Sequence, residues 1–326
     1  MAKSQARGKI LQYPFAPLMH GARIDASREE SQAERLDIVL DIQAFELTQS
    51  TLVERGGRIL DQVQGNYVPM RLRFLGVENI RQNGFFSNMQ NIPANDPART
   101  VRDLLSWVQP GKPEPFILFY MDSPISGSLR FYTHKVKHER LPGEPTPVEF
   151  ERDWCSPPPM PARAVPDPQN LYEKFAGDPV TINLEGRRHA RRLFVGGVET
   201  QTRQRPPEID AVLNLGEEPS IWAKSAEPNA DDRWVNKGEG KEGMTIPEIR
   251  GEANWVIERL KAGKTVLVHC VAGMNRSAAI CCATVMLTEG VGAEEALARV
   301  REHHPWSRPD PNHWLKLRWL AQTAKR

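Results

Sequence analysis

The sequence predicts two domains of different class: a mainly antiparallel β domain over residues 8–140, and an α/β domain over residues 171–326 with a mostly parallel central sheet flanked by helices. Three observations lead there. Apolar residues alternate at period two in the first part of the chain, prolines crowd residues 141–170, and beyond them strand and helix patterns take turns.

In the first part, Leu36, Ile38, Leu40 and Ile42 alternate with other residues at the spacing of a half-buried strand, and Val68, Met70, Leu72 and Phe74 repeat it. Phe116 to Met121 and Leu129 to Val136 flank Asp122-Ser123-Pro124-Ile125-Ser126-Gly127, whose proline and glycine predict a hairpin turn. No catalytic constellation stands out between residues 8 and 140. Pro157-Pro158-Pro159, Pro161, Pro166 and Pro168 then give residues 141–170 the composition of a linker.

In the second part, Arg192-Leu193-Phe194-Val195 before Gly196-Gly197 reads as a strand, Ala211-Val212-Leu213-Asn214-Leu215 as another, and Trp234 lies in a third. Thr245-Ile246-Pro247-Glu248 has the spacing of a capping box, with Thr245 as N-cap, and predicts a helix running to about Lys261. Its apolar residues Ala253, Val256 and Leu260 share one face. Thr265-Val266-Leu267-Val268-His269 predicts a buried strand, and the apolar run Ala278 to Leu287 a buried helix. Ligands of such sheets gather at the carboxyl ends of the strands, where Cys270 to Arg276 lie.

Composition narrows the partners. With 43 Lys and Arg against 41 Asp and Glu, the formal charge is +2, which sets up no field for a polyanion, so neither nucleic acid nor a membrane surface is expected as a partner. The basic start, Met1 to Arg7, leads into no apolar run of signal-peptide length before Pro14 and Pro17, and a soluble, cytoplasmic protein is expected. The four cysteines, Cys155, Cys270, Cys281 and Cys282, match neither a disulfide framework nor a zinc site. Cys281 and Cys282 lie in the apolar helix and read as core. His303, His304 and His313, separated by Pro305 and Pro309, read as a helix end and core packing rather than metal ligands. The basic run Arg187 to Arg192 reads as a solvated surface.

The loop His269-Cys270-Val271-Ala272-Gly273-Met274-Asn275-Arg276-Ser277 carries the chemistry. A loop containing Gly273 can curl so that the successive N–H groups of Val271, Ala272, Gly273, Met274, Asn275 and Arg276 face one centre, and the following helix adds its positive end there. That is a cradle for a tetrahedral oxyanion. Arg276 closes it, since a planar guanidinium can hold two phosphoryl oxygens. Cys270 at its base is held where negative charge is favoured, so the thiolate is the expected form and the expected nucleophile.

This stretch resembles the signature of the cysteine-based protein phosphatases, a His-Cys pair, five residues, then Arg and Ser or Thr, and most of all the dual-specificity subgroup. The resemblance extends over about residues 190–326 and includes Leu193-Phe194-Val195-Gly196-Gly197, Val212-Leu213-Asn214-Leu215, Glu295-Ala296-Leu297 and Pro311-Asn312. It implies hydrolysis of phosphomonoesters through a phosphocysteine, without cofactor or metal, on a phosphorylated protein or a small phosphoester. It also implies that Ser277 donates to the Cys270 sulfur. The loop has no lysine or second arginine between Cys270 and Arg276, which favours phosphoproteins over phosphoinositides. A phosphate-binding module without turnover is the alternative.

The general acid is not named by the motif. In the resembling family it is an aspartate about thirty residues before the cysteine, and its proton leaves with the alcohol. Here Lys237-Gly238-Glu239-Gly240-Lys241-Glu242-Gly243 occupies that spacing, a glycine-rich stretch able to act as a lid. Glu239 is the favoured acid, and Asp232, preceded by Asp231, is the other candidate.

Overall fold

The structure, a computed structural model, describes residues 7–10, 21–32, 35–82, 101, 103–109, 116–123, 127–158, 164–166, 178–197, 208–219, 231–236 and 243–324. The chain divides into two compact units, Met1–Asp167 and Pro168–Arg326.

In the first unit, β1 (Arg7–Ile10), β2 (Arg23–Gln32), β3 (Arg35–Arg55), β4 (Arg58–Leu75), β5 (Glu78–Gln82), β6 (Asp103–Gln109), β7 (Phe116–Ser123), β8 (Gly127–Thr133), β9 (Lys135–Arg140), β10 (Thr146–Arg152) and β11 (Ala164–Pro166) form two antiparallel sheets. One runs β11-β1-β6-β7-β8-β5. The other runs β10-β4-β3-β2, with β9 also paired to β4. The alternation read from the sequence sets the core: Ile38, Leu40, Ile42, Met70, Leu72 and Phe74 turn to one face and meet Phe131 of the other sheet, whose ring lies 5.0 Å from that of Phe74.

Strands β3 and β4 extend well past the stretches that announce them, because Gly56 (φ 58°) and Gly57 (φ 77°) close a two-residue turn whose positive φ values match the twist of a long hairpin. The far half of this hairpin carries β10, so Thr146–Arg152, expected within the linker, is instead a strand of the first unit. The reason lies in alternation that the prolines obscure: Val148 and Phe150 pack on a cluster of Phe45, Val63 and Tyr67. Pro147 is tolerated because β10 is an edge strand. Ala164–Pro166 likewise pairs with β1.

Toward the turn of the hairpin Asp61 is fully buried and accepts from Nε and Nη2 of Arg152 at 3.0 and 2.9 Å and from Ser50 Oγ. The Arg152 guanidinium stacks on Trp154 at 4.5 Å. Truncating one partner of such a pair strands the other's charge in the interior, at a cost of about 3–5 kcal/mol. Arg152→Met should therefore lower the denaturant midpoint of the first unit, while Asp61→Asn combined with Arg152→Met should recover part of the loss; equal midpoints for wild type and Arg152→Met in equilibrium unfolding would contradict this.

In the second unit, β12 (Asp178–Leu184) and β13 (Arg187–Gly196) form an antiparallel hairpin, and β13, β14 (Ala211–Asn214), β15 (Asp232–Trp234) and β16 (Val266–His269) are parallel, in the order β12-β13-β16-β14-β15. The basic run Arg187 to Arg192 is thus part of a strand, and its Arg192 caps the carbonyls of Leu260 and Lys264. The described residues of this unit include four helices: α1 (Ile246–Lys261), α2 (Arg276–Glu289), α3 (Ala293–Arg301) and α4 (Pro311–Ala324). The capping box at Thr245 and Glu248 is formed in both directions, and Glu252 of α1 takes a bidentate ion pair from Arg233 of β15. Helix α2 is buried from Arg276 through Met286 and packs on β12, β13 and β16 with the other three helices around it. Among the described residues no helix is long and apolar enough to cross a membrane.

Candidate active site

The register of the parallel strands brings Gly196, His269, Asn214 and Trp234 into one row at their carboxyl ends. The central strand β16 leaves this row directly into Cys270, whose N–H donates to Gly196 O at 3.3 Å. Gly273 then adopts φ +73° against the backbone of the neighbouring strand. A Cβ there would lie 2.8 Å from the Gly196 carbonyl carbon and 2.9 Å from Gly197 N, so no side chain is admitted. The chain turns back and enters α2 at Arg276.

Cys270 is 2% exposed and Arg276 1% exposed, and Ser277 is fully buried with its Oγ 3.4 Å from Cys270 Sγ. Cys270, Arg276 and Ser277, singled out in the sequence, are thus all buried, at the end of β16 and the start of α2. Val271, Ala272, Met274 and Asn275, half-buried, form the rest of the loop around the buried Gly273.

The loop is held from behind by residues 304–313, whose role is absent from the sequence reading. His304 Nε2 lies 2.9 Å from Gly273 O and its Nδ1 2.9 Å from Asp178 Oδ2. Arg308 N–H donates to Met274 O at 2.7 Å. Asn275 exchanges two bonds with Asp310, Nδ2 donating to Oδ2 and Oδ1 accepting from the Asp310 N–H, each at 2.8 Å. His313 Nδ1 is 3.0 Å from both Asn275 Oδ1 and Asp310 Oδ2, and its Nε2 accepts from Met244 N–H at 3.2 Å. Burial alone would raise the Asp310 carboxyl, but the bonds from His313 and Asn275 outweigh it and hold the group below the usual carboxylate range. His304 and His313 looked like packing residues because Gly273, Asp178, Asn275 and Met244, which they contact, lie far away in sequence, where no local pattern reveals them.

The two carboxylate candidates differ in position. Asp232 opens β15 level with Leu267, three residues before Cys270 on the adjoining register, about 10 Å along the strand direction at ~3.3 Å per residue. Its neighbour Asp231 is paired with Lys264 and with Arg259. Glu239 lies outside the described residues; the segment that contains it leaves from Asn236, beyond the row at the carboxyl ends, and returns at Gly243 and Met244, beside His313.

Burial pushes the Cys282 thiol up to about 12, only partly offset by Arg301, and the Cys281 thiol well above its ordinary value, so both are protonated at neutral pH. Burial also lowers His269 to about 4, against a weak contact of its Nδ1 with Cys270 O. A histidine kept neutral in the folded state binds its proton more tightly when unfolded. Its contribution is complete above about pH 6.5 and is lost as pH falls toward 4, on the order of 3 kcal/mol in all. The second unit should lose stability over that window, and His269→Asn should flatten the slope; a variant with the same pH dependence as wild type in chemical denaturation would refute the assignment.

A strand, a tight glycine turn and a buried helix thus meet around the buried Cys270 thiol at the carboxyl ends of the parallel strands. The second unit is similar to the dual-specificity phosphatases: residues 193–323 match the family model described as "Dual specificity phosphatase, catalytic domain". Dual specificity phosphatase 28 of Homo sapiens is 36% identical over 58 residues, covering 18% of this chain and 33% of the relative. Protein phosphatase Slingshot homolog 3 of Rattus norvegicus is 43% identical over 72 residues, covering 22% and 11%. The chain thus spans a third or less of the length of these curated relatives. Among solved structures, human DUSP28 matches at 19% identity and a TM-score of 0.38, with coverage of 45% of this chain and 97% of that one.

Proposed function

We propose that residues 171–326 hydrolyse phosphomonoesters of proteins, phosphotyrosine as well as phosphoserine and phosphothreonine, through a phosphocysteine. The observation that carries this reading is the 3.4 Å approach of Cys270 Sγ and Ser277 Oγ at one end of the parallel sheet, with the buried Arg276 beside Ser277 at the start of α2. In the first step the thiolate attacks phosphorus in line with the ester oxygen; a P–S bond forms, the P–O bond breaks, and the leaving oxygen takes a proton from a carboxylic acid. In the second, water attacks phosphorus, its proton goes to that carboxylate, and the P–S bond breaks to return the thiolate, which Ser277 stabilises by donating to sulfur. Arg276 holds two phosphoryl oxygens through both steps. No metal or cofactor enters.

Glu239 is the proposed acid. Both ends of its segment lie at the carboxyl ends of the strands, and Met244 at the returning end is tied through His313 to the phosphate loop. Asp232 starts lower on the sheet.

Two measurements test the reading. Hydrolysis of an aryl phosphate should be unaffected by chelator and abolished in Cys270→Ser; tight phosphopeptide binding by the wild type with no turnover would replace the enzyme by a recognition module. In single-turnover experiments on a phosphoester with a poor leaving group, Glu239→Gln should slow the first step by about 10²-fold or more while Asp232→Asn does not; the reverse pattern would move the acid to Asp232.

A further inference from the structure

An oxyanion cradle works only if its peptide N–H groups point inward, which requires the carbonyls of the same peptides to point out and find donors there. Gly273 is where this is least secure. Glycine allows the Gly273–Met274 peptide to rotate, and a rotated peptide would aim an oxygen, not an N–H, at the bound anion. The outward position of Gly273 O is marked by a contact with a fully buried imidazole, His304 Nε2 at 2.9 Å.

The chemistry of that contact is determined by its partners. A carbonyl oxygen only accepts, so Nε2 carries the proton there. Nδ1 faces a carboxylate at 2.9 Å, Asp178 Oδ2 of β12. Two arrangements satisfy both contacts: an imidazolium beside an ionised carboxylate, or a neutral Nε2–H imidazole accepting from a carboxylic acid. Each contains one proton between ring and carboxyl. Once that proton is lost, the ring's remaining hydrogen is drawn to Nδ1 by the carboxylate, and Nε2 meets the Gly273 oxygen with a lone pair.

We infer that His304 is a positioning residue for the phosphate loop, and that the proton it shares with Asp178 keeps its Nε2–H on Gly273 O and so keeps the Met274 N–H turned into the cradle. The inference rests on the reading of residues 270–276 as an oxyanion cradle. Of the groups around His304, Asp178 on β12 is the charged side chain that acts on it; the loop presents the Gly273 carbonyl, and its own segment presents the Trp306 ring, 4.4 Å away between centroids. Burial lowers the pKa of the ring against the pull of Asp178 and Gly273 O, so the shared proton is held less tightly than it would be in an exposed pair.

The test uses the full chain and tungstate, a tetrahedral dianion whose own charge does not change from neutral to alkaline pH, with binding measured by calorimetry and turnover of an aryl phosphate measured separately. Wild type should bind tungstate more weakly as pH rises. Asp178→Asn should remove that dependence, because an asparagine amide donates to Nδ1 and leaves the Nε2–H tautomer in place at any pH. His304→Ala should weaken tungstate by roughly ten- to a hundredfold, the range for a lost buried hydrogen bond, and His304→Gln, whose amide reaches the same oxygen, should recover most of it. Tungstate binding by His304→Ala equal to wild type, or an alkaline fall in Asp178→Asn as steep as wild type's, overturns the inference; if His304→Ala does not fold, the comparison of Asp178→Asn with wild type decides. Wild type that binds tungstate without turning over substrate defeats the enzymatic reading and leaves this one standing, whereas wild type that binds no tungstate defeats the cradle and this inference with it.

Discussion

The contact between Gly273 and the Gly196-Gly197 backbone is the constraint on which the site depends. The approach is so close that a single added carbon would stand 2.8 Å from the Gly196 carbonyl carbon. It lets the chain reverse immediately above β16, so that Cys270 stays at sheet level, bonded to Gly196 O, while Arg276 is already in the first turn of α2. Two chemically inert positions at the end of β13 thereby determine where Cys270 and Arg276 stand. Moving the turn outward by even a methyl group would separate them, and catalysis that rests on placement is steeply sensitive to such shifts.

Enclosure follows from the same turn. Helix α2 begins at the loop and runs through the middle of the unit, buried over its first eleven residues, so its positive end faces the loop from a medium that screens it little. The thiols of Cys281 and Cys282 lie inside that helix, where burial keeps them protonated; Cys270 stands instead just before the helix, with its Sγ 3.4 Å from Ser277 Oγ. Residues 304–313 complete the arrangement from the other side. They take the outward-facing Gly273 and Met274 carbonyls and the Asn275 side chain, and they extend through His313 to the residues that precede α1.

The first unit is organised by different means. Its two sheets share an alternating apolar face, and its long hairpin continues beyond that core, where Phe45, Tyr67 and Phe150 pack on the opposite face and Arg152 with Asp61 supplies a buried ion pair. The structure puts the unit boundary after Asp167, because Val148 and Phe150 belong to this packing despite the prolines around them. Proline density marks stretches that cannot be helix or inner strand, and an edge strand meets that condition as well as a linker does.

Much of the second unit was legible in the chain itself. Strands with period-two or fully apolar runs, the capping box at Thr245 and Glu248, the apolar α2 and the spacing of Cys270, Gly273, Arg276 and Ser277 are all local, and local order follows from short-range sterics and hydrogen bonding. What tertiary structure decided are the relations between segments far apart in sequence: that β16 lies between β13 and β14, that Gly273 meets Gly196, and that His304 and His313 reach the loop from behind. The loop from His269 to Ser277 was readable because its residue types and its tight turn reside in nine consecutive residues. Its support was not, since a histidine that bonds a carbonyl thirty-one positions away leaves the same mark on a sequence as one that merely fills the core.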